Sequence, residues 1–357
     1  MGLDVKDYAY HLPEELVASY PSVPRDASRL LVYDTEKDDL VIDRFFNLSA
    51  YLPVQSFLVF NETKVLPSRV ILYKKKPVNG KEGKVKALFL VNENQEDIDQ
   101  IRAMVDRKVH VGDKLYFNNH DYVEIVDQDR FLFTMHMSFS KRHLITLLYE
   151  KGTMPIPHYI KNTPLAEKEL RDSYQTIFAK KEGSVAAPTA SLHFTKRVFE
   201  QMKKQGIKDL YITLHVGLGT FAPVSEDQIK HKKLHEEWYE VSYETLCLIS
   251  ALKHQGKELT AVGTTVVRTL ESLPKLSEGV KKHPVFGKTD LFIYPPYTFH
   301  MVDHLITNFH LPGTSLLMLV EAFLKHKKAR RGIKELYDIA IKNRLRFYSF
   351  GDAMLIL

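Results

Sequence analysis

The sequence predicts an α/β protein that carries a small antiparallel β-barrel or sandwich as an insertion. Three observations lead there. Residues 57–138 hold a run of short segments rich in Val, Phe and Tyr, separated by polar or glycine-containing turns, which is the mark of a compact antiparallel unit. From residue 173 onward, strand-like and capped helical segments alternate instead, the rhythm of a largely parallel sheet. The first 60 residues are mixed and complete the larger unit. The expected division is therefore residues 1–62 with 153–357 as the α/β domain, and 63–152 as the insertion.

The elements follow in order. FLVF, SRVILYK, KVKALFLV, KVHV, KLYF, YVEIV and FLFTMHM are the expected strands of the first region, with NGKEG, GD and NNHD as turns. Ser140 is placed to cap the helix KRHLITLLYEK, and Gly152 to stop it. Thr195 caps KRVFEQMKKQ, with Gly206 beyond it, and strand DLYITLHV comes next. Ser242 caps YETLCLISALKHQ, with Gly256 after it. Strand ELTAVG then leads into helix TTVVRTLESL, and strand HLITNF into helix TSLLMLVEAFL.

Composition narrows the class. Of 357 residues, 44% are hydrophobic, enough for a real core. Fifty Lys and Arg against 44 Asp and Glu give a charge of +6, which favours an anionic partner, nucleic acid being the usual one, although many enzymes carry such a charge without one. Basic clusters stand at 74–76, 230–233 and 325–331; each is either a solvated face or part of a phosphate-backbone surface. The single cysteine, Cys247, leaves no internal disulfide and no thiolate-rich zinc site. The acidic, proline-containing N-terminus does not read as a signal peptide, and the longest apolar stretch, 316–320, is too short to span a bilayer. A cytoplasmic monomer without membrane contact is expected.

Chemistry gathers where three strands run into unusual loops: LYITLHV into GLGTF, ELTAV into GTTVVR, and HLITNF into HLPGTS. Ligands in such sheets bind beyond the carboxyl ends of the strands. His215, Thr264, Thr265, Arg268, Asn308 and His310 are thus expected around one cavity. The segment GSVAAPTASLHF, 183–194, is either a further lining of that cavity, built of small residues so that backbone approaches a ligand, or a tightly packed turn beneath the sheet. The GLG of 217–219 lacks the third glycine of a dinucleotide fingerprint. It reads as a turn that exposes amides or as a plain strand-to-loop turn. Arg268 either binds a carboxylate or phosphate or pairs with Glu271 three residues on. No histidine spacing defines a metal site, His235 within LHEEW included, and none is expected.

The chain resembles the S-adenosylmethionine:tRNA ribosyltransferase-isomerase family of queuosine biosynthesis. The stretches LPEELVASYP, SRLLVYD, FLVFNETKVLPSR, MPIPHYI, YQTIFAKKEGSVAAPTASLHFT, LHVGLGTFAPV, LHEEWYEV, AVGTTVVRTLES, TDLFIYPPY, VDHLITNFHLP and RFYSFGDAM occur in order over nearly the whole chain. Residues 74–150 match weakly but have the right extent. The resemblance implies a barrel-like larger α/β domain with an inserted small antiparallel β-barrel. It implies transfer and isomerisation of the ribosyl part of S-adenosylmethionine onto the aminomethyl-deazaguanine wobble base of tRNA, with S-adenosylmethionine as donor substrate and no metal. The family has AGLHF where this chain has Ala190-Ser191-Leu192-His193-Phe194, so a side chain stands at a glycine position of the expected lining.

The reaction so implied needs a base, oxyanion donors and a site closed to water. His215 or His193 is the expected base, with Thr220 and His310 as further catalytic candidates. Amides of Gly217, Gly219 and Thr220, together with Thr264 and Thr265, are expected to hold ribose hydroxyls and oxyanions, and Arg268 the methionine carboxylate. Phe194 or Tyr294 would stack on a base. Ala187, Pro188, Thr189 and Asn308 complete the expected binding residues. Asn61, Arg69 and Asp352 carry over by motif with no derived role.

Overall fold

The computed structural model describes residues 5–74, 83–92, 99–217, 224–274 and 283–357. The chain opens with β1 (Arg29–Asp34), β2 (Asp39–Arg44), β3 (Ser56–Asn61) and β4 (Thr63–Val65). Next come β5 (Arg69–Tyr73), β6 (Lys84–Leu90), β7 (Gln100–Val105), β8 (Lys114–Tyr116), β9 (Tyr122–Asp129) and β10 (Leu132–Met137). Then follow α1 (Lys141–Lys151), α2 (Glu167–Ser173), β11 (Lys181–Ser184), α3 (Lys196–Lys204), β12 (Lys208–Leu214), α4 (Glu226–His231) and β13 (Lys233–Val241). The last part holds α5 (Tyr243–His254), β14 (Glu258–Val262), α6 (Thr264–Glu271), β15 (Val285–Leu291), β16 (His304–Asn308), α7 (Ser315–His326), α8 (Ile333–Lys342) and β17 (Ala353–Ile356).

Nine strands form the larger sheet, in the order β15-β13-β12-β3-β14-β16-β17-β1-β2. β12, β3, β14 and β16 run parallel at its centre. β13 and β15 pair antiparallel on one side, and β17 returns antiparallel to β16 on the other. The sheet is thus mixed, where strand–helix alternation predicts a largely parallel one. β13 follows β12 through the short helix α4 and β17 follows β16 through α7 and α8, yet each pairs antiparallel with the strand it follows, so an intervening helix does not by itself fix the strand sense.

Both faces of the sheet are covered, which is why its central strands are largely apolar. On β3 all six residues are buried. Phe57 and Val59 face a core made with α5, α6, α7 and α8. Leu58 and Phe60, one residue out of phase, face a second core with α3 and the 3₁₀ turn Phe45–Ala50.

The strand-rich region is a closed barrel in the order β10-β7-β6-β5-β8-β9. Its interior is filled by alternate residues such as Val85, Ala87 and Phe89 of β6, and Ile101 and Ala103 of β7. Leu144, Leu147 and Leu148 of α1 pack onto the same cluster. Closure leaves no open sheet edge. One expected strand, KVHV at 108–111, is irregular, and β7 pairs with β6 and β10 instead. The I-x-A-x-V alternation of β7 carried that signal.

Helix starts follow the expected caps. The hydroxyls of Ser140, Thr195 and Ser242 accept from the amides of His143, Val198 and Thr245. Among the described residues, no helix is long and apolar enough to cross a membrane.

Candidate active site

Because β12, β14 and β16 are parallel to β3 or to one another, their carboxyl ends share one edge of the sheet. Beyond that edge lies a cleft of about 570 Å³. The segment Ala187–Ala190 forms one side. Gly263, Thr264 and Thr265 come from the end of β14 and the start of α6, and Thr307 to Leu311 from the end of β16. Gly263 has φ +96°, and a Cβ placed there would meet Ala190 Cβ at 3.7 Å. Glycine therefore lets the chain turn into α6 while the facing segment lies close. In the first turn of α6 the Val266 amide donates to Gly263 O at 3.1 Å, which leaves the amides of Thr264 and Thr265 to favour oxygen-rich or anionic groups.

Polar side chains brace this edge from behind. Thr189 Oγ1 donates to Asn308 Oδ1 at 2.7 Å. Asn61, fully buried in β3, accepts at Oδ1 from the amides of Thr63 (3.1 Å) and Leu214 (3.0 Å). Its Nδ2 donates to Leu214 O at 2.9 Å and to Thr265 Oγ1 at 3.3 Å. One amide side chain so ties the ends of β3 and β12 to the first turn of α6.

Val216 lines this cleft and also a second, smaller cavity of about 280 Å³. The second cavity lies where the barrel meets the large sheet. Leu90 and Asn92 come from the end of β6, Gly183 and Val185 from around β11, His215 and Gly217 from the end of β12, and Glu236, Glu237 and Trp238 from β13. Arg268 and Glu237 form a buried ion pair behind it, and Arg268 also donates to the carbonyls of Thr289 and Leu291 at 3.1 Å each. Glu237 Oε1 accepts from Gly217 N at 2.9 Å.

Three histidines sit in this region in distinct settings. His310 lines the larger cleft, with Nε2 2.8 Å from Thr307 Oγ1. His215 lines the smaller cavity, with Nδ1 2.8 Å from Thr63 Oγ1. His193 lies beneath the lining, with Nδ1 2.9 Å from Ser28 Oγ and Nε2 3.4 Å from Asn308 Nδ2. Burial lowers the pKa of His193 and His215 to about 4 and that of His310 to about 3; the charge of Lys181 adds to the effect on His215. All three rings are therefore neutral at pH 7.

The sequence-predicted residues thus divide. Ala187, Pro188, Thr189, Thr264, Thr265, Asn308 and His310 line the larger cleft. His215 and Gly217 line the second cavity, so the single hollow expected for these loops is two hollows with a shared wall. Four others are structural. The ring of Phe194 is fully buried among Phe45, Phe60 and Phe199 and offers no face to a ligand. Tyr294 packs on Phe292 at 4.8 Å, outside both cavities. Arg268 is spent on Glu237 rather than on Glu271 or a ligand carboxylate, and His193 is covered on both ring nitrogens. Gly219 and Thr220 lie outside the described residues. The segment 183–194 serves both of its expected roles, since Ala187–Ala190 line the cleft while Leu192 and Phe194 are packed in the core. Ser191 is fully buried, and its hydroxyl has no hydrogen-bond partner.

Lining residues that escaped the sequence reading include Tyr159, Tyr348 and Ser349 in the larger cleft and Asn92 and Trp238 in the smaller one. Tyr159 Oη lies 2.7 Å from Ser349 Oγ, and the two tyrosine rings meet at 4.8 Å. Tyr348 has φ +70°, a strained setting for a bulky residue and the one local signal of a functional position. Arg69 and Asp352 stay structural. Arg69 Nη2 donates to Ile156 O at 3.1 Å, and Asp352 accepts from the amides of Arg29 and Arg346 at 2.8 and 2.7 Å. Among the described residues, no group of three or more His, Cys, Asp or Glu could hold a metal ion.

The fold defines an α/β protein with an inserted barrel and a cleft at the strand ends that carries threonine hydroxyls. The chain belongs to the queuosine biosynthesis protein family, whose model matches residues 5–356. It is 43% identical to the S-adenosylmethionine:tRNA ribosyltransferase-isomerase of Sulfurihydrogenibium sp., over 99% of this chain and 100% of that one. The enzyme of the same name from Thermotoga maritima is 40% identical over the same shares. A crystal structure of S-adenosylmethionine tRNA ribosyltransferase from Thermotoga maritima aligns with a TM-score of 0.53 and 31% identity, covering 98% of this chain and 100% of that one.

Proposed function

We propose that this chain transfers and isomerises the ribosyl moiety of S-adenosylmethionine onto the 7-aminomethyl-7-deazaguanine wobble base of tRNA, giving epoxyqueuosine-tRNA, adenine and methionine. Kinship over the full length with enzymes of that name carries the reading. The two adjoining hollows at the strand ends support it, since the reaction joins two ligands.

In this reading the nucleoside sulfonium occupies the larger cleft. The sulfonium acidifies the hydrogens on ribose C5′. His310, neutral and in that cleft, removes one, and the electron pair left behind opens the ring and expels adenine. The hydroxyls of Thr264 and Thr265 and the first-turn amides of α6 hold ribose oxygens as charge develops on them. Ring opening leaves a C4′=C5′ vinyl sulfonium and a C1′ aldehyde, and the proton on His310 passes to the departing adenine. The tRNA amine adds to C4′ and gives up a proton to His215; the carbanion so formed at C5′ closes on C1′, and the resulting alkoxide displaces methionine to leave the epoxide.

The test uses purified protein, labelled S-adenosylmethionine and precursor-bearing tRNA. Adenine and methionine should appear together, in equal amounts, only when all three are present. Binding of tRNA with steep salt dependence but no adenine release would mark a non-catalytic RNA-binding protein instead.

A further inference from the structure

We propose that the second cavity is the pocket for the acceptor base, and that the barrel selects that base through Asn92. The inference rests on the function proposed above. Four observations argue for it.

The first is relative size: at about 280 Å³ against about 570 Å³, the second cavity is the smaller of the two hollows and suits the smaller of the two groups to be bound. The second is chemistry. Asn92 Nδ2 is buried, lines the pocket and has no hydrogen-bond partner among the described residues. Buried donors are almost always satisfied, so this one calls for an acceptor from outside the chain. On the facing strand, Glu236 brings a carboxylate to the same pocket and is held by Lys288 at 3.2 Å. A donor opposite a carboxylate matches a guanine-type edge, which offers one carbonyl acceptor beside ring and exocyclic N–H donors. An adenine-type edge offers ring-nitrogen acceptors but a single amino donor, and so leaves the Glu236 carboxylate one partner short.

The third observation is a flat wall. Trp238 lines the pocket, and Lys288 Nζ sits 4.7 Å from its ring centroid. Indole is the usual platform for a base taken out of its stack. The fourth is that the junction is built for this contact. Gly183 has φ +143°, and a Cβ there would fall 1.7 Å from Asn92 Nδ2. Only glycine admits the asparagine from the barrel. Because the pocket shares Val216 with the larger cleft, a base seated here points its substituent at the sulfonium site.

Trp238 is the only tryptophan in the chain, so its emission reports on this pocket alone. Free 7-aminomethyl-7-deazaguanine titrated into the full-length protein should quench that emission saturably, and adenine should not. Asn92→Ala removes a donor that has no partner among the described residues and should fold normally. It should weaken the quench and raise the KM for tRNA about tenfold, the worth of one buried hydrogen bond, with the KM for S-adenosylmethionine unchanged. Glu236→Gln, on an exposed strand position, should weaken both several-fold. If the wild-type enzyme turns over while Asn92→Ala leaves base affinity and the KM for tRNA within twofold, the pocket assignment is overturned. If the base quenches emission but tRNA and S-adenosylmethionine give no adenine, the pocket stands and the proposed function falls.

Discussion

The two cavities share a wall but differ in how they are made. The larger cleft is built within the large sheet, from the ends of β14 and β16 and the segment before α3. Its polar residues stand at strand ends, where the fold alone aims them at one side. The smaller cavity is built across a junction. Its residues come from four separate stretches, two of them in the barrel or against it, and a buried ion pair supports its back wall. The first is a consequence of topology. The second depends on how one unit is seated on the other, and it is the more fragile.

The strongest way to break the second cavity alone is Arg268→Ala. It leaves Glu237 buried and uncompensated, and should cost about 3–5 kcal/mol in a denaturant titration. The paired change Arg268→Met with Glu237→Leu should recover most of that stability while activity stays low, since the Gly217 amide loses its acceptor.

Both cavities should fail together in acid. The folded pKa values of His193, His215 and His310 lie below the ordinary histidine value. As pH falls below about 6.5 the unfolded chain takes up protons first, so stability present above that pH is lost as pH drops towards 4 and below. His193→Gln should flatten that loss when unfolding midpoints are compared at pH 7 and pH 4.5. The acid limb of kcat/KM should likewise lie below pH 5 rather than near 6.5.

A smaller effect separates the cavities. Thr189→Val removes the donor to Asn308 in the larger cleft alone. The KM for S-adenosylmethionine should rise about tenfold, while quenching of Trp238 by the free base is unchanged. The smallest effect tests the wall behind the lining. Ser191→Ala deletes a buried hydroxyl that has no partner, and should stabilise the protein by about 1 kcal/mol without altering turnover.

Particular residues show what was legible. The caps Ser140, Thr195 and Ser242 could be read because capping is a local contact within one turn. Thr264, Thr265, Asn308 and His310 could be read because a strand end fixes where its next residues go. The partner of Arg268 could not be read: Glu237 lies 31 positions away on a strand brought alongside only by the sheet. Phe194 stands six residues from the cleft-lining Pro188, and only packing against Phe60 and Phe199 turned it inward.

The sequence by itself determined the α/β class, the strand-rich interruption, the helix ends and the identity of one cleft, because period, caps and chain order are properties of neighbouring residues. Tertiary structure alone decided which histidines meet a cavity, which arginine is spent on an acid, and that Asn92 and Trp238 face a common space. Those outcomes depend on contacts between residues far apart in the chain, and no local pattern encodes the distance between them.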